Sequence, residues 1–371
     1  MLVALLIAAL ALAAANGAND NFKGVATLHG SDTLGYRAAL LWATVTTFAG
    51  SALALMLASG LLAAFRGKGL VPDAVVAEPK FALAVAAGAA AAVAAATRLG
   101  LPISTTHALT GGLVGAGLAS GAPVSWSALG AGFLLPLALS PFLAFAATAV
   151  LYPLFRGARR ALGVERELCL CVDGGAPVTV LRQPDGTLVA ASTGLQITVA
   201  DGARCAEEYR GRVVGVDAQR AVDSAHLLSA GAVSFARGLN DTPKIAALLM
   251  AAPVFGLGGF GAMTAVGAAM AVGGLLAARR VAHTMSRDIT AMNHGQGFTA
   301  NLVTAALVTT ASWHALPVST THVSCGSLFG LGAVAGGARW ARIRRILMAW
   351  LLTLPIAAAA AAAVALVALA A

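Results

Sequence analysis

Long apolar stretches separated by short polar segments dominate the chain. Five of them stand at 38–64, 81–97, 127–155, 260–278 and 346–371. An apolar run of about 20 residues is long enough to cross a bilayer as a helix. The pattern therefore predicts an all-α polytopic membrane protein whose surroundings are the lipid bilayer.

The first 28 residues form a further apolar segment, which a polar run at 16–21 interrupts. Asn, Gly and Asp favour caps and turns over helix interiors. Irregular backbone at membrane depth is tolerated only where it is buried in protein or lines a cavity. We interpret 1–15 as the first half of a broken transmembrane helix rather than as a signal peptide, since it lacks a basic start.

Two dissimilar polar motifs occur twice, in the same order. We call Gly17–Lys23 and Gly238–Lys244 the asparagine–aspartate motifs, and Pro102–His107 and Pro317–His322 the threonine motifs. The two motifs start 85 positions apart in the first half of the chain and 79 positions apart in the second. This repetition predicts an internal duplication, with a broken helix at each asparagine–aspartate motif.

The segment at 81–118 and its counterpart fit either two full spans or a re-entrant hairpin with the threonine motif at its tip. With a hairpin, each half crosses the membrane three times, and the second half is inverted. On that topology three Lys or Arg residues lie on one side and seventeen on the other, with four more at the motifs. The basic side is cytoplasmic. We therefore predict an inverted-topology repeat with two re-entrant hairpins and both termini outside.

The polar region between the halves breaks the apolar pattern. Short alternating runs and a turn at 183–186 predict a small β-rich cytoplasmic insert. The predicted domains are the first membrane repeat at 1–158, the insert at 159–224 and the second membrane repeat at 225–371. Cys169, Cys171 and Cys205 lack a paired C-x-x-C spacing, so they are interpreted as reduced thiols rather than as a metal site. The net charge of +9 arises from loop residues and does not indicate nucleic-acid binding.

Two acidic residues, Asp20 and Asp241, fall inside the motifs at membrane depth. A charged residue at the centre of a membrane helix costs about 2.5–3.5 kcal/mol on insertion scales. Coupling to a proton or a metal cation, with sodium as the candidate metal at these two residues, accounts for that cost. An Asp that caps a half-helix is the plainer interpretation, and the two are compatible.

The hydroxyl runs of the threonine motifs follow a proline at the start of an apolar stretch, where proline suits the first helical turn. A helix N-terminus offers free N–H groups and the positive end of the dipole to an anion. Two such termini related by inverted symmetry fit a tetrahedral oxyanion near the midplane. Simple helix capping is the alternative for the six residues Ser104, Thr105, Thr106, Ser319, Thr320 and Thr321.

Lys23 and Lys244 follow each Asp by three positions and so share its helix face. They either pair with the carboxylates or add positive charge for an anion. His107 and His322 end the threonine motifs, where they either relay protons near neutral pH or orient the loop. Gln296 is a further accessory candidate.

These four motifs resemble the signatures of the inorganic phosphate transporter (PiT) family, and in particular its bacterial-type phosphate permeases. The resemblance implies a secondary symporter of phosphate with sodium or protons, without a cofactor. It also implies inverted repeats, outward termini, a bacterial inner membrane and a homodimer. By the same resemblance Asp20 and Asp241 belong to cation sites, and Asn19 and Asn240 join the hydroxyl runs in binding the anion.

The lysines depart from the family pattern, in which small residues and Asn commonly follow Asn-Asp. An ammonium in both copies could occupy the place of a cation, which leaves proton or sodium coupling open. Carriage of sulfate or another oxyanion is the second candidate function, although phosphate needs an acceptor for its proton that Asp20 or Asp241 could supply. An anion channel ranks lower, and no nucleophile–base pair or metal cluster indicates an enzyme.

Overall fold

The computed structural model describes residues 1–67, 69–162, 217–251, 256 and 258–370, together with the backbone of short strands between 165 and 217. The helices of the first half are α1 (Leu2–Asp20), α2 (Ala26–Gly30), α3 (Tyr36–Leu57), α4 (Gly60–Phe65), α5 (Asp73–Val76), α6 (Pro79–Arg98), α7 (Thr105–Ala119) and α8 (Leu135–Ala161). Those of the second half are α9 (Ala218–Leu249), α10 (Gly259–Ala277), α11 (Arg279–His283), α12 (His294–Trp313), α13 (Thr320–Ala335) and α14 (Trp340–Ala370). Two π-helical turns, Ala128–Leu134 and Thr284–Asp288, adjoin α8 and α11.

Six helices in the described part of the chain are long and apolar enough to cross a membrane: α1, α3, α6, α8 with its π-helical turn, α10 and α14. They coincide with the apolar stretches of the sequence, because a helix satisfies its own backbone hydrogen bonds in lipid. Large apolar side chains on α8 and α14 point outward; Phe142 is 72% exposed and Val367 71%. In a bilayer these faces contact lipid, so the prediction of a multi-pass helical membrane protein is confirmed.

Helix packing follows the same pattern in both halves. α1 packs on α6 and α10, and in the same way α9 packs on α12 and α3. The last long helix of each half packs on the other half, α8 on α13 and α14 on α7. Gly115 of α7 lies against the Ala358 carbonyl of α14, and Gly330 of α13 lies against the Phe145 carbonyl of α8. A Cβ at either glycine would collide with that carbonyl, so the small residue permits the close approach.

The first asparagine–aspartate motif interrupts its helix, as predicted. α1 ends at Asp20, residues 21–25 form turns, and α2 starts at Ala26. Two turn hydrogen bonds run there, from Lys23 N to Asp20 O and from Val25 N to Phe22 O. The following Gly24 supports the break, since glycine is a poor helix former.

The predicted break in the second copy is wrong. α9 continues through the motif and contains Pro243. The residues after Lys244 are Ile245, Ala246 and Ala247, which suit a helix much better than the Gly24 of the first copy. Pro243 lacks one backbone donor, and membrane helices tolerate such a loss when neighbouring groups satisfy the freed carbonyl.

Each threonine motif starts the second helix of a consecutive, packed pair, α6 with α7 and α12 with α13. α6 has 20 residues and α7 has 15, which at 1.5 Å per residue makes them about 30 Å and about 22 Å long. The shorter α7 therefore falls short of the bilayer core of about 30 Å. Both motif tips lie inside the helix bundle, where Ser104 and Ser319 are buried.

Short strands pair in the region between the halves, all antiparallel. The pairs are β1 (Glu165–Arg166) with β6 (Tyr209–Arg210), β2 (Cys171–Val172) with β5 (Ile197–Thr198), β3 (Val180–Arg182) with β4 (Leu188–Ala190), and β7 (Arg212–Val213) with β8 (Val216–Asp217). The predicted turn at 183–186 and the side chains of Cys169, Cys171 and Cys205 lie outside the described residues, so the β-rich insert stays a prediction. Cys325 is buried in the core against Met285.

Candidate functional site

The four motifs meet in the interior of the bundle, around Asn16 of α1. Its side-chain amide lies 3.3 Å from Asp20 Oδ2, 3.3 Å from Asp241 Oδ2 and 2.9 Å from Thr105 Oγ1. All four side chains are buried. One amide group thus links the two aspartates, which lie 221 positions apart in the sequence, to a threonine motif.

Lys23 occupies a cage of oxygen atoms drawn from both halves. Its Nζ lies 2.5 Å from Asp20 Oδ1, 3.0 Å from Asn19 Oδ1, 3.0 Å from the Ile103 carbonyl and 2.5 Å from Thr321 Oγ1. An ammonium has three N–H donors, so four acceptors surround a group that can serve three. The cage has the donor set of a metal-cation site, and a lysine fills it.

Lys244 occupies the equivalent position in the second copy. Its Nζ lies 2.7 Å from Thr106 Oγ1, 2.8 Å from the Val318 carbonyl and 3.5 Å from Asp241 Oδ1. The ring of Phe65 faces the ammonium, 5.5 Å from Nζ to the centroid. Each lysine therefore pairs with the aspartate of its own motif and also reaches the last threonine of the opposite half.

The N-termini of α7 and α13 meet at the threonine motifs. Thr106 Oγ1 donates to the Val318 carbonyl at 3.1 Å, and Thr321 Oγ1 donates to the Ile103 carbonyl at 2.6 Å. The first backbone N–H groups of a helix have no partner within it. Two sets of such donors therefore converge from opposite halves of the chain.

The serines and the threonines of each threonine motif make different hydrogen bonds. Ser104 Oγ accepts from His107 N at 3.0 Å and Ser319 Oγ accepts from His322 N at 3.2 Å, so the serines cap their helices. Thr320 Oγ1 donates to Asp241 Oδ2 at 3.4 Å. Simple capping accounts for the serines, whereas the threonines bond to the charged centre and the opposite half.

Asn19 and Asn240 tie their helices to the hairpin tips. The Asn19 amide donates to Thr97 Oγ1 and the Leu101 carbonyl, and its oxygen accepts from Ile103 N. The Asn240 amide donates to the Val318 carbonyl at 3.2 Å, and its oxygen accepts from Ser312 Oγ. These amides hold the threonine motifs in place beside the lysines.

Arg237 is the residue that the sequence analysis missed. Its guanidinium is 1% exposed and donates to Asn16 Oδ1 at 2.7 Å and to Asn21 Oδ1 at 3.0 Å, while Nε lies 3.7 Å from Asp241 Oδ2. It stands where the first copy has Asn16, one position before the motif glycine. A basic residue in that position within apolar sequence was the available signal.

The charges of the centre do not cancel. Lys23, Arg237 and Lys244 face Asp20 and Asp241, and these five are the buried Lys, Arg, Asp and Glu residues of the described chain. With all five ionised, one positive charge is left over. Buried charge is costly unless it is paired, so the centre favours an anion.

The remaining sequence candidates lie beside or away from this centre. The rings of His107 and His322 face each other with centroids 4.5 Å apart. Gln296 forms a capping box with Asn293 and donates to the Tyr152 hydroxyl at 3.0 Å. It therefore lies at the start of α12 and not among the motif side chains. Within the described residues, no three His, Cys, Asp or Glu side chains form a metal cluster.

A second polar network, which we call the histidine seal, joins α2 and the loop after it to α9 and α12. His226 of α9 is fully buried between Thr27 Oγ1 at 3.0 Å and Thr33 Oγ1 at 3.4 Å. His294 Nδ1 lies 3.1 Å from Thr33 Oγ1 and 2.6 Å from Asp223 Oδ1. The seal connects the segment after the first asparagine–aspartate motif to the second half.

The centre itself is closed. The cavity of about 330 Å³ between α8, α9 and α12 is lined by Tyr152, Arg156, Phe298 and their neighbours, and by no motif residue. Asn19, Asp20, Asn240 and Asp241 are each no more than 2% exposed. A ligand can reach these residues only after helices separate.

Comparison with known proteins identifies the family. A family model described as the phosphate transporter family matches residues 16–361. The chain belongs to the phosphate transporter family. The resemblance drawn from the four motifs is thereby confirmed, and the chain is a transporter rather than an enzyme.

Members of the phosphate transporter family align with nearly the whole chain. A putative phosphate permease of Pyrococcus abyssi is 28% identical over 95% of this chain and 94% of its own length. A probable low-affinity inorganic phosphate transporter of Rhizobium meliloti is 29% identical over 96% and 93%. A solved structure described as the sodium-dependent phosphate transporter shares the fold, with a TM-score of 0.75, 23% identity and coverage of 99% of this chain and 98% of that one.

Proposed function

We propose that this protein is a secondary active symporter of inorganic phosphate, driven by a proton gradient. The observation that carries the proposal is the pair of lysine ammonium groups inside the oxygen cages. A sodium ion at Asp20 or Asp241 would need the oxygens that Lys23 and Lys244 already contact. A lysine ammonium is covalently held and cannot be released on the far side of the membrane, so it is not itself the coupling ion. The coupling ion must be a different cation, and we propose that it is the proton.

The anion site is proposed at the meeting point of α7 and α13. Hydroxyls of Thr105, Thr106, Thr320 and Thr321 and the first backbone N–H groups of both helices converge there. A helix N-terminus attracts anions through its free donors and its dipole. The excess positive charge of the buried centre adds to that attraction, and the four oxygens of phosphate match a cradle built from two halves.

Asp20 and Asp241 are proposed to hold the lysines in position. Each aspartate pairs with the lysine of its own motif. Asn19 completes the cage around Lys23, and Asn19 and Asn240 both fix the hairpin tips. Phosphate is the favoured substrate over sulfate because family members align over nearly the full length, and two of these are named for phosphate.

We infer an inverted-topology repeat from the packing of α1, α6 and α10, which recurs in α9, α12 and α3. The α6–α7 and α12–α13 pairs are proposed as re-entrant hairpins, since α7 and α13 are short and start at buried tips. The excess of basic residues on one side supports a cytoplasmic location for that side, with both termini outside and the cell inner membrane as the location. A homodimer is an expectation from the family resemblance.

Alternating access follows from the closed centre. Opening toward the basic side requires separation of α2 from α9 and α12, which the histidine seal joins. Opening toward the other side requires separation of the C-terminal part of α9 from α4, which packs against it. The phosphate is then exposed to one side at a time, which a channel does not require.

Uptake of labelled phosphate into proteoliposomes tests this function. We expect an imposed proton gradient to drive accumulation, and an equal sodium gradient without a pH difference to drive none. Excess sulfate should leave uptake unchanged. Accumulation driven by sodium alone would contradict the ammonium argument, and strong inhibition by sulfate would make sulfate the substrate of the same fold.

A further inference from the structure

Two imidazoles, one buried and one partly buried, meet beside the threonine motifs. The rings of His107 on α7 and His322 on α13 are 4.5 Å apart between centroids and inclined at 72°. His322 is 3% exposed. The two histidines occupy equivalent positions in the two copies, so the pair lies between the halves.

The hydrogen bonding of His322 leaves one ring nitrogen as a free base. Its Nδ1 lies 3.1 Å from the Leu137 carbonyl of α8. A carbonyl can only accept, so Nδ1 carries the proton in the neutral ring and Nε2 carries the lone pair. Nε2 is buried without a hydrogen-bond partner, as is Nδ1 of His107. A buried polar atom without a partner calls for an explanation.

The helix caps do not explain these side chains. The backbone N–H groups of His107 and His322 donate to the capping serines. The imidazoles take no part in that cap, so another residue type could supply the same N–H. The caps and the bond to Leu137 leave His107 Nδ1 and His322 Nε2 without a structural partner.

The surroundings of His322 can stabilise a protonated ring but do not keep it permanently protonated. Trp350 of α14 stacks on the ring, with centroids 3.9 Å apart, and an indole face attracts a cation. Three groups influence the protonation of His322. They are His107 from α7, the Leu137 carbonyl from α8 and Lys23 from the turn after α1. Cys325, one turn along the same helix, contacts Met285. No hydrogen bond to a carboxylate is found at either ring in the described part of the chain.

We propose that the His107–His322 pair is the binding site of the coupling proton, which is received at Nε2 of His322. The proposal rests on the proton symport proposed above. The pair takes one proton, because a second imidazolium beside the first would be repelled.

The step conserves protons and charge. As phosphate binds at the N-termini of α7 and α13, a proton from the same solution adds to the lone pair of His322 Nε2. The imidazolium lies beside the anion, and each offsets the charge of the other. When the opposite side opens, phosphate leaves, the N–H bond breaks, and the proton enters that solution. The neutral imidazole then remains for the next cycle.

Coupling arises from the cost of an unpaired buried charge. An imidazolium without the anion lies near Lys23 and lacks a carboxylate partner, so it is disfavoured. Bound phosphate removes that penalty, and by linkage the proton must favour phosphate by the same factor. Proton and phosphate therefore each strengthen the binding of the other, which couples their movement across the membrane.

The test compares wild type with His322→Gln, because glutamine is polar but does not titrate. His314→Gln is the matched control, since His314 is exposed at the end of α12. Phosphate is titrated calorimetrically into the purified proteins in buffers of different ionisation enthalpy. We expect wild type and His314→Gln to take up about one proton per phosphate more than His322→Gln, with a coupling factor of about 5- to 150-fold in phosphate affinity across the pH range. Comparison under identical conditions cancels the titration of phosphate itself.

Transport separates this inference from the proposed function. In proteoliposomes, His322→Gln should lose accumulation driven by a pH gradient, while exchange of labelled for unlabelled phosphate at equal pH should persist at a higher phosphate concentration than in wild type. Loss of pH-driven accumulation in wild type as well would reject proton symport itself. Full pH-driven accumulation in His322→Gln would reject the histidine site and leave symport standing. If the variant does not fold, ¹⁵N-histidine spectra of wild type decide: phosphate added at constant pH should protonate one buried imidazole, and unchanged spectra overturn the proposal.

Discussion

The two copies of the asparagine–aspartate motif build similar lysine sites with different surroundings. Lys23 contacts four oxygen atoms, whereas Lys244 contacts three and faces the ring of Phe65. The first copy has the neutral Asn16 where the second has Arg237. Duplication therefore preserves the backbone frame, while single side chains make the centre asymmetric in charge.

The segments after the two motifs differ in the same way. α2 is bound to α9 and α12 through Thr27, Thr33 and two histidines. The residues after Lys244 instead pack into an apolar cluster that includes Ile245, Leu248 and Leu61. The contacts after the first motif are hydrogen bonds that include two histidines, whereas those after the second motif are apolar. The separation of helices at these two places should therefore differ in energy and in sensitivity to pH.

Loss of a motif carboxylate should have the largest effect, and it should differ between the copies. Asp241 faces Lys244, Arg237 and Thr320, whereas Asp20 faces Lys23 and Asn16. Removal of one partner from a buried ion pair costs about 3–5 kcal/mol. We expect Asp20→Asn and Asp241→Asn each to abolish coupled uptake, with Asp241→Asn the less stable of the two.

Uptake assays and thermal unfolding in detergent measure the two effects separately. Asp73→Asn is the control, because Asp73 is an exposed acid in the first turn of the short helix α5. Wild-type uptake in either motif variant would refute the role of the carboxylate. Equal stability losses would show that Arg237 adds little to Asp241.

Removal of a lysine should convert a cage into a cation site. In Lys23→Ala the ammonium is gone and the oxygens of Asp20, Asn19, Ile103 and Thr321 remain. Carboxylate, amide, carbonyl and hydroxyl oxygens suit a hard cation. We expect phosphate uptake by this variant to become dependent on sodium, and Lys244→Ala to show a weaker dependence because its cage has fewer oxygens.

Sodium titration of uptake at fixed pH and ionic strength checks the exchange of cations, with choline as the replacement ion. Lys80→Ala serves as a control outside the centre, near the start of α6. A sodium response in Lys80→Ala would show a general salt effect. Sodium-independent loss of transport in both motif variants would mean that the cages do not accept a metal ion.

Arg237 should set the affinity for the anion. Arg237→Asn places in the second copy the residue that the first copy has, and it removes the excess positive charge. Hydrogen bonds that involve a charged group contribute about 1.5–3 kcal/mol, so we expect phosphate to bind about tenfold more weakly or worse. Arg237→Lys keeps the charge but not the planar fork, and it should fall between wild type and Arg237→Asn in a phosphate-binding titration. Equal affinity in all three proteins would place the anion away from the guanidinium.

Sequence patterns predicted the membrane class, the apolar spans and the approach of the two threonine motifs, because each depends on local composition or on repetition. That Asn19 and Asn240 join them was an implication of the family resemblance. The patterns did not predict the role of Arg237, since one basic residue before a motif does not reveal that its side chain crosses to Asn16 of α1 and to Asn21 in the turn after it. They also predicted a break in α9 that is absent. The prediction rested on the residues that the two asparagine–aspartate motifs share, whereas the helix continues because Ile245 and Ala246 follow the second motif. The histidine seal joins residues about 200 positions apart, a distance at which no periodicity connects them.

The smallest expected effect tests whether the two halves remain equivalent where their chemistry is the same. Ser104 and Ser319 cap α7 and α13 with nearly equal hydrogen bonds, 3.0 Å and 3.2 Å. Loss of an N-cap costs about 1 kcal/mol. We expect Ser104→Ala and Ser319→Ala to lower the melting temperature by similar small amounts and to leave the sodium response unchanged, with Ser127→Ala, an exposed serine, as the control. A much larger loss for Ser319→Ala would mean that the second threonine motif is held mainly by its cap. In that case the hydrogen bond from Thr320 to Asp241 would contribute less to the position of the second threonine motif than the contacts indicate.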